Sequence, residues 1–420
     1  MKRGFYTIMA AQFFSSLADN ALLIAAMALL ISMQAPGWMT PLLKLFFALS
    51  YVLLAAYVGA FADALPKGKV MFITNLIKVG GCALMFFHVH PLIAYALVGF
   101  GAAAYSPAKY GILTELLPAE KLVAANGWIE GLTVSSIILG TVLGGSLIDP
   151  RVSAALLNFD FPLIDFSINT PTEAALCVIT ALYVLAALFN LRIPDTGARY
   201  EHQKPNPIKL IADFGHCFST LWRDKLGQIS LAVTTLFWGA GATLQFIVLK
   251  WAGESLGLPL NKAAILQGVV AIGIAIGAVA AARFVPLKKS LSVMPLGVAM
   301  GLVVTTMIFV HNVVIAYPLL ILVGALAGFF VVPMNALLQH RGHVLMSAGH
   351  SIAVQNFNEN LSVLIMLGLY ALMVSLDLHV KTVIVLFGLF VAGTMLLVMK
   401  RHAANQKEFD SLALIGEHKH

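Results

Sequence analysis

Long runs of apolar residues alternate with short polar segments along the whole chain. Twelve of these runs approach or exceed the length of about 20 residues that a helix needs to cross a bilayer. They lie at residues 6–33, 41–64, 70–88, 92–116, 123–148, 172–193, 226–250, 263–284, 291–310, 315–339, 348–375 and 382–399. Because a backbone in lipid must form its hydrogen bonds within the protein, we expect each run to be an α-helix. The pattern predicts an all-α integral membrane protein with twelve transmembrane helices in two six-helix halves.

A polar, proline-containing segment separates the first six runs from the last six. It carries Pro205, Pro207 and several basic residues, and a short surface helix is expected near residues 208–221. We therefore predict an N-terminal six-helix half at 1–194, a cytoplasmic linker at 195–224, a C-terminal six-helix half at 225–400 and a cytoplasmic tail at 401–420.

Composition and charge agree with a protein that lies in lipid. Of the 420 residues, 60% are hydrophobic and only 11% are charged. A soluble protein of this size could not bury so much apolar surface. The net charge of +7 would suit a nucleic-acid partner, but its distribution indicates orientation in a membrane instead. With the N-terminus placed in the cytoplasm, five of the 26 Lys and Arg residues lie on the outer side (Lys44, Arg151, Lys250, Lys262, Lys381) and two lie within spans (Lys78, Lys109). The positive charge that remains on the inner side predicts a multi-pass protein with both termini in the cytoplasm, and we expect no nucleic-acid partner.

Polar side chains recur at helical spacing inside three of the apolar runs. The stripes are Gln12, Ser15, Ser16 and Asp19 in the first run; Asn126, Glu130 and Thr133 in the fifth; and Gln355, Asn358, Glu359 and Ser362 in the eleventh. A charged side chain at membrane depth costs about 2.5–3.5 kcal/mol even on the mildest insertion scales. These helix faces are therefore expected to meet a bundle interior or a hydrated cavity rather than lipid.

Lys109 is the most informative of the charged residues, because it lies inside an apolar run just after Pro107. From the helical rise, Lys109, Glu130 and Lys78 lie about 10 Å from the inner boundary, while Asp19 and Glu359 lie roughly 15–20 Å in. The transport hypothesis is that Lys109 meets an anionic group of a substrate, while the carboxylates balance charge, meet a cationic group or carry a proton. A purely structural ion network is the alternative.

The two halves show a weak repeat. Pro107 precedes Lys109 in the fourth run and Pro333 precedes Asn335 in the tenth, each by two positions. A proline in a membrane helix can expose backbone next to a cavity, although an ordinary kinked helix is the alternative. Glycines spaced by four residues, at 127/131, 140/144 and 273/277, are predicted to allow close helix packing.

The short basic loop after the second run contains Asp63, Lys67 and Lys69. Lysines in such a loop can simply set the orientation of the neighbouring helices in the membrane. The second hypothesis is a gate on the cytoplasmic side, in which Asp63 caps or pairs with a neighbouring helix when that side is shut.

No signature of catalysis, of a cofactor or of a metal site is present in the sequence. Cys82, Cys177 and Cys217 are isolated, and neither a Gly-x4-Gly-Lys-[Ser/Thr] loop nor a Gly-x-Ser-x-Gly elbow occurs. The histidines are interpreted as solvated residues, with His340 and His343 in a loop. We predict a protein that is not an enzyme and that needs no cofactor or metal. A membrane-embedded acyltransferase or lipid hydrolase is the alternative of a different class.

The twelve runs, the division into six and six, and the central linker together resemble the major facilitator superfamily. Within that superfamily the chain resembles the bacterial lysophospholipid transporters. The resembling segments are 11–14, 18–23, 99–111, 237–241, 333–339, 353–356 and 359–360. Where Gln245 stands, the resemblance implies a basic residue, so the chain departs from the pattern there.

The resemblance implies transport of lysophosphatidylethanolamine and related lipids from the outer to the inner leaflet of the bacterial inner membrane, for reacylation, by alternating access. It also implies a cytoplasmic partner, an acyltransferase/acyl-carrier-protein synthetase. The expected substrate-binding residues are Asp19, Asn20, Lys109, Tyr110, Glu130, Asn335, Gln355, Asn356 and Glu359, with gating residues Asp63, Lys67 and Lys69 and secondary residues Lys78 and Gln245. A proton-coupled transporter of a small solute or drug is the alternative, because the same buried carboxylates would serve it.

Overall fold

The computed structural model describes residues 3–36, 39–158, 168–200, 206–258 and 260–415, and every regular element in these ranges is helical. The α-helices are α1 (Arg3–Ser32), α2 (Met39–Leu53), α3 (Ala55–Ala64), α4 (Lys67–Phe86), α5 (Pro91–Leu116), α6 (Leu122–Ile148), α7 (Pro150–Leu157), α8 (Pro171–Leu191), α9 (Pro207–Arg223), α10 (Gly227–Leu256), α11 (Leu260–Phe284), α12 (Met294–Thr305), α13 (Val313–Leu345), α14 (Ala348–Ser375) and α15 (Val380–Glu408). Short 3-10 turns occupy Ala119–Lys121, Leu287–Val293, Thr306–Phe309 and Ser411–Leu414.

The helices confirm the predicted membrane architecture. Eleven helical stretches in the described part of the chain are long and apolar enough to cross a bilayer, and the bent pair α2–α3 is the twelfth candidate. The two members of this pair meet at an angle of 67°. We use "N-side" for the face of the membrane on which α1 begins. Counting the membrane crossings from α1 onward places α9 and the end of α15 on the N-side.

The chain divides into two compact units. Unit 1 comprises Met1–Ile112 and Ser135–Lys204, and unit 2 comprises Leu113–Val134 and Pro205–His420. The division passes through α6, so the first half of this helix belongs to unit 2 and its second half to unit 1.

Close backbone contact in unit 1 depends on two glycines of α6. A methyl group at Gly140 would lie 2.6 Å from the carbonyl oxygen of Leu17, and one at Gly144 would lie 2.8 Å from that of Ala21. Both oxygens belong to α1, so α6 and α1 touch backbone to backbone, as small residues allow in membrane helices. The glycine pair at 140/144 therefore has the packing role that its spacing predicts.

In unit 2, α11 and α13 pack backbone against backbone. A methyl group at Gly273 or Gly277 would overlap a backbone carbonyl oxygen of α13, that of Ile321 or Ala325. The packing prediction does not extend to Gly131, where an added methyl group would meet nothing within 4 Å.

The surface helix predicted near residues 208–221 is present as α9. Within α9, Leu221 is fully buried, and partly buried Phe214, Phe218 and Trp222 pack beside it against residues of α13 and α14. A buried ion pair follows this helix, because both Nε and Nη2 of Arg341 donate to the carboxylate of Asp224, at 3.2 and 2.6 Å.

The predicted loop position of two histidines is wrong. His340 and His343 lie inside α13 rather than in a loop, because this helix continues six residues past the predicted end, and His340 is only 5% exposed. Pro107 and Pro333 lie within continuous helices α5 and α13. Between α6 and α8 the chain forms the short helix α7, and residues 159–167, with Asp160 and Asp165, lie outside the described residues.

Candidate functional site

Unit 1 contains a partly buried ion pair centred on Asp19 of α1. The ammonium nitrogen of Lys78 donates to Oδ2 of Asp19 at 2.8 Å, and the hydroxyl of Tyr183 donates to Oδ1 at 2.6 Å. Lys78 also donates to Oγ of Ser15 at 3.1 Å, and that hydroxyl in turn donates to Oδ1 of Asn75 at 2.8 Å. Three helices, α1, α4 and α8, thus contribute to one charged network, as a buried charge requires.

The two charged members of this network differ in access. The side chain of Lys78 is 1% exposed, whereas that of Asp19 is 20% exposed. The Lys78 ammonium also lies 5.0 Å from the ring centroid of Tyr105 and 5.6 Å from that of Tyr183, within the range of cation–π attraction. The lysine is therefore sealed behind the carboxylate, and Asp19 is the member that another molecule can reach.

Two buried polar atoms in the same network lack protein partners. Among the described residues, the hydroxyl of Tyr105 and the amide nitrogen of Asn75 find no hydrogen-bond partner. Buried polar groups in native proteins are normally satisfied by protein, water or ligand. The network can therefore accept further polar contacts.

The Lys78–Asp19 pair joins two residues at different depths in the membrane. The helical rise places Asp19 deeper than Lys78, roughly 5–10 Å further from the N-side boundary. The long lysine side chain spans that difference and reaches along the apolar interior to the carboxylate.

Lys109 and Tyr110 lie next to each other on α5, and the ammonium of Lys109 is 4.1 Å from the centroid of the Tyr110 ring. Both side chains are half-buried. The side-chain nitrogen of Asn20 donates to the backbone carbonyl of Ser16 in the same helix, at 2.8 Å. The side-chain oxygen of Asn20 is the acceptor group of this amide.

The predicted residues of α13 and α14 meet in unit 2. The amide nitrogen of Gln355 donates to Asn335 at 3.1 Å and to the carboxylate of Glu359 at 2.7 Å. All three side chains are buried. The side-chain oxygen of Gln355 has no hydrogen-bond partner within the described ranges. Asn356, one residue further along α14, is also buried, and its backbone carbonyl accepts a hydrogen bond from the side-chain amide of Asn360.

The N-side half of α6 carries Asn126 and Glu130, both buried. Asn126 and Gln339 of α13 exchange two side-chain hydrogen bonds, each 2.9 Å long. Sequence reasoning missed Gln339, although it lies one helical turn after Asn335 and therefore on the same face of α13.

The structure brings two of the three predicted gating residues together. Lys67 donates to Asp63 at 2.6 Å and to the carbonyl of Ala62 at 2.7 Å, and its ammonium lies 4.9 Å from the ring centroid of Tyr200. The pair joins the end of α3 to the start of α4 and is nearly inaccessible to solvent. Lys69, by contrast, is exposed.

Gln245 forms a neutral pair with Gln267. Its amide donates to the side-chain oxygen of Gln267 at 2.8 Å, and the Gln267 amide donates to the backbone carbonyl of Gln245 at 3.1 Å. An uncharged pair of side chains therefore lies where the resemblance implies a basic residue.

The family follows from comparison with known proteins. Residues 5–366 match the model of the Major Facilitator Superfamily. The chain belongs to the Major Facilitator Superfamily. Its members are transporters rather than enzymes, so the predicted family, helical membrane fold and non-enzymatic class are confirmed.

Among superfamily members, the chain is similar to proteins named lysophospholipid transporter LplT. It is 42% identical over 381 residues to the protein of Yersinia enterocolitica, covering 90% of this chain and 89% of the relative. It is 43% identical over 384 residues to that of Yersinia pestis, covering 91% and 90%.

Two solved structures share the fold. The transporter FucP in its outward conformation aligns with a TM-score of 0.73 at 16% identity, over 94% of this chain and 98% of that one. A bacterial homologue of the iron transporter ferroportin aligns with a TM-score of 0.70 at 15% identity, over 97% and 100%. Similarity at this level of identity establishes the fold alone.

Proposed function

We propose that this superfamily member transports lysophospholipids, lysophosphatidylethanolamine and related single-chain lipids, across the bacterial inner membrane. The observation that carries the proposal is the identity of 42–43% to lysophospholipid transporters over about nine-tenths of the chain. The buried charges in unit 1 support it, because a polar head group needs partners at membrane depth.

We further propose that the lipid moves from the outer to the inner leaflet by alternating access, where a cytoplasmic acyltransferase/acyl-carrier-protein synthetase reacylates it. The excess of Lys and Arg on the N-side supports its assignment to the cytoplasm, together with both termini. The boundaries 1–194, 195–224, 225–400 and 401–420 serve as the proposed halves, linker and tail.

Within unit 1, Asp19 is the proposed contact for the cationic ammonium of the head group. Its exposure supports this role, since Lys78 behind it is sealed from solvent. Binding of a cation would compete with Lys78 for the carboxylate, so the ion pair would loosen when substrate binds. Lys109 is the proposed partner of the phosphate, with the Tyr110 ring and Asn20 beside the head group.

Within unit 2, Glu130, Asn335, Gln355, Asn356 and Glu359 are the proposed polar contacts. The unpartnered oxygen of Gln355 is available as an acceptor for a hydroxyl or ammonium group. Asp63 and Lys67 are proposed as a gate element on the N-side with Lys69, and Gln245 as a secondary contact.

Uptake of labelled lysophosphatidylethanolamine into spheroplasts tests this proposal. We expect the wild type to take up the lipid, Lys109→Ala to reduce uptake at least tenfold, and Lys289→Ala to leave it unchanged. Lys289 is the matched control because it is an exposed lysine outside the proposed site. Leaflet-resolved assays in proteoliposomes then establish the direction.

Two results would overturn the proposal at different levels. Equal uptake by wild type and Lys109→Ala would remove Lys109 from substrate binding. Absence of uptake by well-expressed wild-type protein would reject the lysophospholipid and favour a small solute as substrate.

A further inference from the structure

The buried amide pair of Asn126 and Gln339 has a place in the fold that suggests a role in the transport cycle. The two side chains form a reciprocal pair, in which each amide nitrogen donates to the other side-chain oxygen at 2.9 Å. Asn126 is fully buried and Gln339 is 1% exposed. The amide of Asn126 also donates to the carbonyl of Leu122 in its own helix, at 2.9 Å.

The pair joins segments 213 residues apart in sequence, the first half of α6 and the last third of α13. Both segments approach the N-side, where α6 begins and α13 ends. Close packing supports the same attachment, because a methyl group at Gly127 would lie 3.0 Å from the carbonyl oxygen of Ala278 in α11. The N-side half of α6 is therefore held against α11 and α13 within unit 2.

The other half of α6 is held differently. From Ser135 onward it belongs to unit 1, where Gly140 and Gly144 touch the backbone of α1. The N-side half of α6 thus packs within unit 2, and its other half packs within unit 1. A conformational change that moves its N-side half away from α13 must break both hydrogen bonds of the amide pair.

The pair also stands one helical turn from proposed substrate contacts. Glu130 follows Asn126 by four residues and Asn335 precedes Gln339 by four, so both lie about 6 Å further from the N-side on the same helix faces. Substrate bound at Glu130 or Asn335 would be next to the pair and could influence whether it stays closed.

We propose that Asn126 and Gln339 form an amide latch that closes the N-side of the transport path and opens when substrate is released there. The proposal rests on the proposed transport function but not on the identity of the lipid. A neutral amide pair suits a latch, because its hydrogen bonds hold the closed state and its separated members can be hydrated when the path opens. A buried ion pair would cost far more to separate.

Accessibility of a cysteine on the latch face of α6 tests the proposal. Thr133 lies on the same face as Asn126 and Glu130, further from the N-side, so Thr133→Cys reports opening. The protein is first freed of its three natural cysteines by alanine substitution. A membrane-impermeant maleimide is then applied in separate experiments from the N-side and from the opposite side.

In this background we expect Asn126→Ala and Gln339→Ala to raise the rate of N-side labelling roughly five- to tenfold, as expected for two hydrogen bonds between membrane helices. Labelling from the opposite side should fall, because a transporter open to one side is closed to the other. The exchange variant Asn126→Gln/Gln339→Asn keeps both amides and should return the rate to within about twofold of the parent.

Asn405→Ala is the matched control, because it removes another buried amide, one that donates to the carbonyl of Lys225 at 3.2 Å. It should leave labelling of Cys at 133 unchanged. If the alanine variants do not reach the membrane, Gln339→Asn serves as the test in their place. It shortens one partner of the pair and should also raise the rate of N-side labelling.

Unchanged N-side labelling in both latch variants would overturn the inference, and so would an equal rise from both sides, which indicates loosening rather than a shift in the cycle. A one-sided shift in a protein that carries no lysophospholipid would leave the latch intact and reject the proposed substrate. The two proposals therefore fail by different results.

Discussion

The ion pair between Lys78 and Asp19 gives the sharpest prediction for stability. Lys78→Met removes the ammonium and keeps nearly the same volume, so packing changes little. The substitution leaves the Asp19 carboxylate in the bundle with the hydroxyl of Tyr183, 2.6 Å away, as its remaining partner in this network. It also removes the donor to Ser15 and the cation beside the Tyr105 ring.

The structure sets the expected magnitude. Removing one member of a fully buried pair usually costs about 3–5 kcal/mol, because the other charge is left uncompensated. Asp19 keeps one-fifth of its side chain exposed and retains the Tyr183 hydrogen bond. We therefore expect a loss of about 2–3 kcal/mol in the free energy of unfolding, below the usual range for buried pairs.

The decisive comparison is the double variant Lys78→Met/Asp19→Asn. It removes both charges while the asparagine oxygen still accepts from Tyr183, so most of the lost stability should return, to within about 1 kcal/mol of wild type. Unfolding titrations of purified protein in mixed detergent micelles measure all three free energies. Lys289→Met, at an exposed lysine, is the control and should change stability by less than about 0.5 kcal/mol.

The reasoning is refuted if Lys78→Met costs less than about 1 kcal/mol, or if the double variant is no more stable than the single one. Either result would mean that the two charges are not energetically coupled. The stable double variant also separates folding from function, because it should fold yet fail to transport if Asp19 binds the cationic group.

Three further predictions concern single contacts. Tyr183→Phe removes a hydrogen bond to a charged group and should lower unfolding stability by about 1.5–3 kcal/mol, whereas an unchanged detergent titration would contradict the contact with Asp19. Gly277→Val places side-chain atoms against a backbone oxygen of α13, so we expect a marked fall in folded yield by size-exclusion chromatography; normal yield would contradict that close approach. In the linker, hydrogen bonds from Arg199 lower the pKa of Asp195 to about 2. The ion pair between them is therefore fully formed above about pH 4, near the ordinary pKa of an aspartate, and is lost as the pH falls through 2. NMR titration of Asp195 should show that Arg199→Gln raises this pKa towards 3.8, and an unaltered value would refute the pairing.

The length and composition of the apolar runs were enough to predict the fold class. A helix in lipid satisfies its own backbone, so a span is a local property that can be read from about 20 consecutive residues. The same locality explains why α9 was found in advance, since its apolar face recurs at helical spacing. The 67° bend between α2 and α3 was not foreseen, and the length of the second run suggested one uninterrupted span.

The sequence also indicated which helix faces avoid lipid. Asp19, Asn126, Glu130, Gln355 and Glu359 were identified because polar side chains at i, i+3, i+4 and i+7 share one face. Each of those stripes lies at least partly inside the protein. Their chemical roles remain predictions that the experiments above address.

Only the tertiary structure decided which polar groups meet. Lys78 reaches Asp19 across a difference in depth, Tyr183 contributes from a helix with no polar stripe, and Gln339 pairs with a residue 213 positions away. Such pairings depend on which helices are neighbours and how far each side chain extends. Neither quantity is encoded in a local window of sequence. The one-dimensional pattern thus set the helices and their inward faces, because hydrogen bonding and hydropathy act locally, whereas packing between distant segments determined the partners.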